Sequence, residues 1–482
     1  MHRFIFWPVL LSLAALAGCA SQHNVLGKET ALKISQLKLR PGISDSKDLH
    51  IHTEQAWWHA LDEPPLNQLM ALALAHNPDL AVARARVAEA QGIARIQGAE
   101  LLPNVSASGR VQAAHWTEHQ FYPPPYGGNT TWNNALNLDF SYSLDLWGKY
   151  RAAGMAKKEI FAARQQEERA AALLLENSLF QNYIDYAQTK ALLRQNQAQH
   201  KIQERLLYIA QTRLQHGLEN AESERRIEQR LQQLRNEKQI LIGKSQVLSE
   251  QLAALAGQGT TLPSTLTPPT LPRKIHWQVP QTVPANLIGN RPDVMARRWQ
   301  VEAAAAEVHV AKAEFYPNIN IVAFVGGLAA AGSFFQFLQV SSGQYGVGPS
   351  ITLPIFEGGR LRGNLRAKKA AYNAAVANYN QTLINAFRQT AGAITEIHTL
   401  SLRRESLRNE HKALEENREI VRKRFLAGLT NQTALLTIDT QMIALRQHQI
   451  DLNANALAAL GTLYASLGGS FVPGTLPVPA VP

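Results

Sequence analysis

The sequence predicts a mainly α-helical chain with a membrane β-barrel part, organised as two similar halves. Three observations carry this. Residues 76–104 and 290–318 repeat one element, from His76-Asn77-Pro78-Asp79-Leu80 to Pro103-Asn104 and from Asn290-Arg291-Pro292-Asp293-Val294 to Pro317-Asn318, at an offset of 214 residues. Four short stretches switch from a helical period to strict apolar/polar alternation. Two further stretches run for some 65 residues with almost no glycine or proline, about 100 Å of helix at 1.5 Å rise per residue. Helices of that length exceed any globular core and must pack along one another as a coiled-coil-like bundle.

The N-terminus reads as a targeting segment. Met1-His2-Arg3 is a short basic start, and Phe4 to Ala17 is an apolar run too short to span a bilayer but suited to a signal h-region. Leu16-Ala17-Gly18-Cys19 then matches the bacterial lipobox, which makes 1–18 a lipoprotein signal peptide and Cys19 the acylated residue. An ordinary signal followed by a chance cysteine is the alternative. Cys19 is the only cysteine, so no disulfide framework exists within the chain. Ala20, not Asp, follows it, so the usual inner-membrane retention signal is missing. One acylated terminus anchors weakly without a second membrane contact.

Residues 19–65 are polar and irregular, with Trp57-Trp58 as a docking point. The first repeat, 66–257, opens with a helix from about Leu66 to Leu102, stopped by Pro103. A strand over about 104–114 follows, with Val105, Ala107, Gly109, Val111 and Ala113 on one face. The second strand, about 132–147, alternates Leu136, Leu138, Phe140, Tyr142, Leu144 and Leu146 with Asn137, Asp139, Ser141, Ser143 and Asp145. One lipid-type face over about 11 residues is the length of a membrane-crossing strand, although a soluble half-buried hairpin gives the same pattern. A long helix from Tyr150 ends at a tip over 213–221, and a second helix runs from about Ala221 to Ala256.

Residues 258–285 form a Pro-rich connector. The second repeat, 286–469, has the same plan. A helix runs from about Pro292 to Tyr316, with Pro292 in its first turn and Asp293 on the favourable end of its dipole. Strands follow over about 318–326 and 344–356. A helix from Gly359 to Ala427, interrupted at Gly363 and Gly392, leads to a tip at 424–432 and a last helix, Thr433 to Leu467. Residues 470–482 are a Pro-rich tail. Pro349 would ordinarily demote its strand.

No stretch outside the signal reaches 18 apolar residues, so the mature chain has no transmembrane helix, and a closed β-barrel is the remaining way across a membrane. Four strands cannot close one, since about eight is the minimum. Several copies must share a barrel, and the oligomer is a tube. The net charge of +11 comes from basic residues interspersed with acids, as in Glu222-Ser223-Glu224-Arg225-Arg226, which describes solvated helix faces and not a nucleic-acid surface. No HExxH, P-loop, GxSxG or Cys/His metal spacing occurs, and His50 and His52 lack further ligands. The chain is read as a non-enzyme with no cofactor and no metal.

The stretch Leu287-Ile288-Gly289-Asn290-Arg291-Pro292-Asp293-Val294, continuing to Phe315-Tyr316-Pro317-Asn318-Ile319, resembles the TolC/OprM-like outer-membrane channels, on the lipoprotein (NodT-type) side of that family. Gly348-Pro349-Ser350-Ile351-Thr352-Leu353-Pro354-Ile355-Phe356-Glu357-Gly358-Gly359-Arg360 carries the same resemblance, and Asp145-Leu146-Trp147-Gly148-Lys149 stands at the matching place in the first half. The resemblance covers nearly the whole mature chain. It implies a homotrimer with a twelve-stranded barrel in outer-membrane lipid, continued by a periplasmic α-helical tunnel. It also implies two partners, a periplasmic adaptor (membrane fusion protein) and an inner-membrane pump, with this chain as the passive exit duct for drugs or other small toxic solutes. A conduit for type I protein secretion and a non-conducting periplasmic coiled-coil lipoprotein remain the alternatives.

Site residues follow from the same resemblance. The adaptor's helical hairpin is expected at Arg213, Leu214, Gly217 and Leu218 and at Arg424, Phe425, Gly428 and Leu429; two plain helix caps are the other reading. The family's aperture acid stands nine residues past the turn glycine. Here that position is Thr437, and Asp439 lies two further on. Asp439 is therefore either the constriction acid or an ordinary exposed helix residue.

Overall fold

The computed structural model describes residues 28–33, 43–44, 57–119, 127–262, 269–272, 283–329 and 333–469. Cys19, the loop at 120–126, most of the Pro-rich connector and the tail 470–482 lie outside the described residues.

The stretch read as one helix from Leu66 to Leu102 is two. Helix α1 (Pro64–His76) ends because the residue before a proline is pushed out of the helical region; Asn77 has φ −66° and ψ 125°. The Asn77 Oδ1 then accepts from the Asp79 and Leu80 N–H groups at 3.0 and 3.2 Å, opening α2 (Pro78–Ala99). Its Nδ2 donates to the Leu255 carbonyl at 3.1 Å and ties the joint to the rest of the repeat.

Two strands follow, and both differ from the sequence reading. The first is β2 (Asn104–Arg110); beyond a break at Val111-Gln112, β3 (Ala113–His115) pairs instead with β4 (Thr130–Trp132) as a small separate ribbon. Strand β5 (Asn134–Ser143) stops before Leu144 and Leu146, because the chain turns at Asp145, with φ 43°, to enter the long helix.

Helix α3 (Lys149–Gln215) and helix α4 (Ala221–Leu255) form the first long hairpin. In the second repeat, α5 (Ala285–Gly289) and α6 (Pro292–Ala313) precede β7 (Asn318–Ala329) and β8 (Gly343–Thr352). Helices α7 (Arg360–Leu426) and α8 (Gln432–Ser466) form the second hairpin. Helix α7 runs unbroken through Gly363 and Gly392, which the sequence reading took as interruptions; a single glycine costs a helix only about 1 kcal/mol. Strand β8 continues through Pro349, opposite Ile321, on an edge of the sheet, where proline is tolerated. In the connector and N-terminal segment, Ile43–Ser44 (β1) pairs in parallel with Val283–Pro284 (β6).

The main sheet has the order β2-β5-β7-β8, antiparallel throughout, so the two hairpins join through β5 and β7. Below it, α3 packs against α4, α8, α6 and α2, and α7 against α6 and α8. One core lies among α6, α7 and α8, with Val294, Val308, Val376, Leu383 and Leu400 fully buried. A second lies where Trp57 and Trp58 meet α1, α3 and α8: Trp57 stacks on Tyr464 at 5.2 Å and meets the Phe180 edge at 4.8 Å. Gly461 makes room, since a Cβ there would collide with Phe180. Polar bonds fix the helical register, among them Asn196 Nδ2 to Leu234 O at 3.1 Å and Gln188 Nε2 to Asp451 Oδ1 at 2.7 Å.

Arg291 clamps the second repeat. Its guanidinium is buried and donates to Asp293 (2.7 Å), Gln389 Oε1 (2.9 Å) and the Ser466 carbonyl (3.2 Å), which joins the start of α6, the upper part of α7 and the end of α8. Such charge-assisted bonds are the strong ones.

Candidate functional site: sheet wall and helix tips

Register divides the sheet into two chemically distinct faces. Side chains paired across strands share a face. Val105, Ala107, Leu138, Phe140, Tyr142, Ile321, Ala323, Val325, Tyr345, Val347 and Ile351 fall on one, with no charged residue among them. Ser106, Ser108, Asn137, Asp139, Ser141, Gln344 and Ser350 fall on the other, joined by Asn137 Oδ1, which accepts from Gln344 Nε2 at 3.1 Å. The apolar face is open: Val347 is 80% and Tyr345 87% exposed, values a soluble core would not leave. No helix among the described residues is long and apolar enough to cross a membrane. A 10-residue strand such as β5, tilted as barrel strands are, spans the roughly 25 Å apolar band of an outer-membrane barrel.

Aromatic residues mark both ends of this wall. At the helix end Trp147 stacks on Tyr316 at 4.7 Å, and its Nε1–H donates to Pro317 O at 2.9 Å; Phe356, shortly after the end of β8, is 90% exposed. At the far end Trp132 meets the Phe334 edge at 5.0 Å. Such girdles sit at membrane interfaces, where one end of the ring is apolar and the other wet. Val322, Phe324 and Leu328 are large apolar residues on the polar face, and Phe324 is packed in place. Its ring lies over Gly346, where a Cβ would be 2.7 Å from Cε1. Both outer strands, β2 and β8, have an unpaired edge within the chain.

The turn from wall to helix is set by capping. The Asp145 carboxylate accepts from the Tyr150 and Arg151 N–H groups, both at 2.9 Å, and Gly148 takes φ 72°. Deeper in the helical layer, Glu307 on α6 receives Lys157 of α3 at 3.1 Å and Lys368 of α7 at 2.8 Å. Burial pushes that carboxyl up, but the hydrogen bonds from the two lysines outweigh it and hold it below the ordinary range.

The two tips share one backbone solution. At the first, Leu218 N–H donates to Arg213 O (2.8 Å) and Gly217 N–H to Leu214 O (3.0 Å), with Gly217 at φ 70°. At the second, Leu429 N–H donates to Arg424 O (2.8 Å) and Gly428 N–H to Phe425 O (3.0 Å), with Gly428 at φ 69°. This is the 6→1, 5→2 helix end that requires a left-handed residue. It leaves Leu218 and Leu429 about 70% exposed, and Leu214 and Phe425 half-buried. Their charges differ. Arg213 pairs with Glu219 at 3.2 Å, whereas Thr430 stands at the matching place beside an exposed Arg424.

Near the second tip, Asp439 is half-buried and accepts from Arg418 Nε at 2.7 Å across the α7–α8 hairpin. The hydrogen bond and charge of Asp439 raise the Arg418 pKa further. Thr437 is exposed and its hydroxyl donates to the Thr433 carbonyl at 2.9 Å. Sequence reasoning missed Arg418. Positions about equally far from a hairpin turn face each other, and Arg418 and Asp439 stand 10 and 11 residues from Gly428. Arg205 of α3 also donates to Gln432 Oε1 of α8 at 3.3 Å, linking the two hairpins. Among the described residues no group of three or more His, Cys, Asp or Glu is arranged to hold a metal.

A family model described as outer membrane efflux protein matches residues 69–258 and 283–469, once over each repeat. The chain is 35% identical over 363 residues to the fusaric acid resistance protein FusA of Burkholderia cepacia, covering 75% of this chain and 68% of that one. It is 28% identical over 492 residues to the multidrug resistance outer membrane protein MdtP of Escherichia coli, covering 98% of each. Among solved structures, the outer membrane protein VceC of Vibrio cholerae superposes with a TM-score of 0.78 at 28% identity, covering 87% of this chain and all of that one.

Proposed function

The chain belongs to the outer membrane efflux protein family, and from that premise we propose how its parts divide the work of an outer-membrane efflux duct. Conduction is passive. Solute passes along the polar face of the sheet, lipid meets the apolar face, and the long helices carry the passage into the periplasm. The observation that supports this best is the two-faced, open-edged sheet: it is stable only when β2 and β8 meet the edges of neighbouring copies. Three copies give a closed wall of twelve strands, above the minimum of about eight.

The two tips, carrying Arg213, Leu214, Gly217 and Leu218 and Arg424, Phe425, Gly428 and Leu429, receive the helical hairpin of a periplasmic adaptor, and an inner-membrane pump supplies the energy. The Arg418–Asp439 bridge braces the inner hairpin around the resting aperture, where Asp439 takes the place that Thr437 does not fill. Adaptor contact biases a two-state packing of α7 and α8 towards the open form. Cys19 carries the lipid that holds the N-terminus at the membrane. The names of FusA and MdtP favour small toxic solutes over a secreted protein as cargo.

Planar-bilayer recording of the purified mature protein, with drug susceptibility of a deletion strain, tests this reading. Stepwise conductance and hypersensitivity are expected. A protein that stays monomeric and detergent-independent after replacement of Cys19 would overturn it.

A further inference from the structure

Above the apolar wall, the β7–β8 connection does not stand clear of the sheet but folds back over it. Gly109, Leu136, Gly327 and Gly343 form one rung on that face. A Cβ at Gly327 would overlap the Phe337 carbonyl oxygen, and one at Gly343 would stand 3.1 Å from Val340 O. The glycines thus seat the connection's main chain directly on the wall. One polar clasp holds it there, and a second bond braces the connection internally. Asn134, 1% exposed, donates from Nδ2 to Phe334 O at 2.8 Å while its Oδ1 accepts from Gln112 N–H at 3.1 Å. The Ser342 hydroxyl donates to Gln336 O at 2.8 Å.

Beneath this arch lies a cleft of about 460 Å³, walled by Ala107, Leu136, Leu138 and Val325 of the sheet and by Phe337 and Leu338 of the arch. Its size is that of small-molecule sites, about 300–1,000 Å³. Asn137 and Gln339 also line it, but no charged residue does. Its floor is continuous with the lipid-facing wall, and it lies in the half of the strands away from the helices, so it opens into the outer leaflet.

We propose that this cleft holds one acyl chain of an outer-leaflet lipid, with the arch as its clasp. This assignment holds where the apolar face is the lipid-facing one, as in the proposed duct. A chain end inserted there covers Leu136, Leu138 and Val325, each about half exposed, against apolar neighbours on both sides. The Phe334 and Gln336 carbonyls of the arch are bonded to Asn134 and Ser342, and the Asn137 amide oxygen that borders the cleft already accepts from Gln344.

The test is native mass spectrometry of the full-length protein extracted from outer membrane and stripped with detergent, with conductance recorded on the same preparations. Ala107→Phe fills the cleft; Val347→Phe adds the same bulk to the apolar face outside it. The expected result is tightly retained lipid in the unsubstituted protein and in Val347→Phe, with a roughly tenfold lower retention in Ala107→Phe. Equal retention in Ala107→Phe, or none in the unsubstituted protein, would overturn the proposal. So would a disulfide joining Leu338→Cys of one subunit to Ala114→Cys of the next, because the arch would then cover a neighbour. Loss of conductance in every preparation would instead count against the channel reading.

Discussion

Helices α2 and α6 are the same element written twice, each 22 residues long with proline at its start. Within one chain they have different surroundings. Helix α6 is wedged between α3 and α7 and buries twelve residues; α2 packs along α3, touches α1 only near its start, and buries Leu80 and Ala90. Val82 is 49% exposed, whereas its counterpart Ala296 is 3% exposed. The duplication says what is missing. By the rule relating the repeats, α2 should lie against the α7 of a preceding repeat, which only another copy can supply. The sheet repeats the point, since β7 has a partner on each side while β2 and β8 do not.

The largest expected effect separates these two helices. Ala296→Asp places a carboxylate in the core between α6 and its neighbours and should cost about 3–5 kcal/mol, leaving little folded protein. Val82→Asp at the matching position should leave helix content by circular dichroism intact while the detergent-resistant oligomer disappears. Equal loss of fold in both would break the comparison.

A second difference lies in the long helices. Glu176 on α3 is buried, and burial pushes its carboxyl up to about 7, while Phe387 occupies the matching position on α7. A folded pKa above the unfolded one means that the native chain holds more protons between about pH 4.5 and 7, so stability falls as pH rises through that window. Glu176→Gln should remove this slope and stabilise the protein at pH 8 by about 3 kcal/mol, at 1.36 kcal/mol per pKa unit. Below about pH 4.5 the gain should vanish. Melting temperature followed across pH reads this directly.

The tips sharpen the contrast further. Arg424 has no counterpart to the Glu219 that engages Arg213, so Arg424→Glu should reduce drug resistance in cells more than Arg213→Glu, with channel assembly unchanged. The smallest effect concerns Arg418–Asp439, a half-exposed pair worth about 0.2–1 kcal/mol. Asp439→Asn should raise resting conductance modestly. The first hairpin has Leu207 and Glu228 at the matching positions and no such bridge between its helices, so Glu228→Asn should not change conductance.

Much of this architecture is legible in the chain itself, because the physics that writes it is periodic. Leu136, Leu138, Phe140 and Tyr142 announce a two-faced strand, and the Gly217 and Gly428 motifs announce reversals. Where local chemistry outweighs period, the reading slips. Asn77-Pro78 carries the same start signal as Arg291-Pro292, but the apolar stripe runs through it and conceals the joint. The strand after Asn104 keeps its alternation past Arg110 although its partner changes, and alternation does not encode the partner. Arg418 and the arch seated on Gly327 depend on contacts between residues distant in sequence, which no period reports.

The buried guanidinium of Arg291 has a mechanical consequence. It nails the upper end of α8 to α6 and α7, while the lower end, some 50 Å away at 1.5 Å per residue, is held by the apolar packing of Ile438, Met442 and Ile443 together with one half-exposed ion pair and one long hydrogen bond. A rod fixed at the top by directional charge-assisted bonds and held lower down mainly by non-directional apolar packing is a lever. A swing of only a few degrees about the fulcrum carries its foot several ångströms, so work done far below need not disturb the wall above.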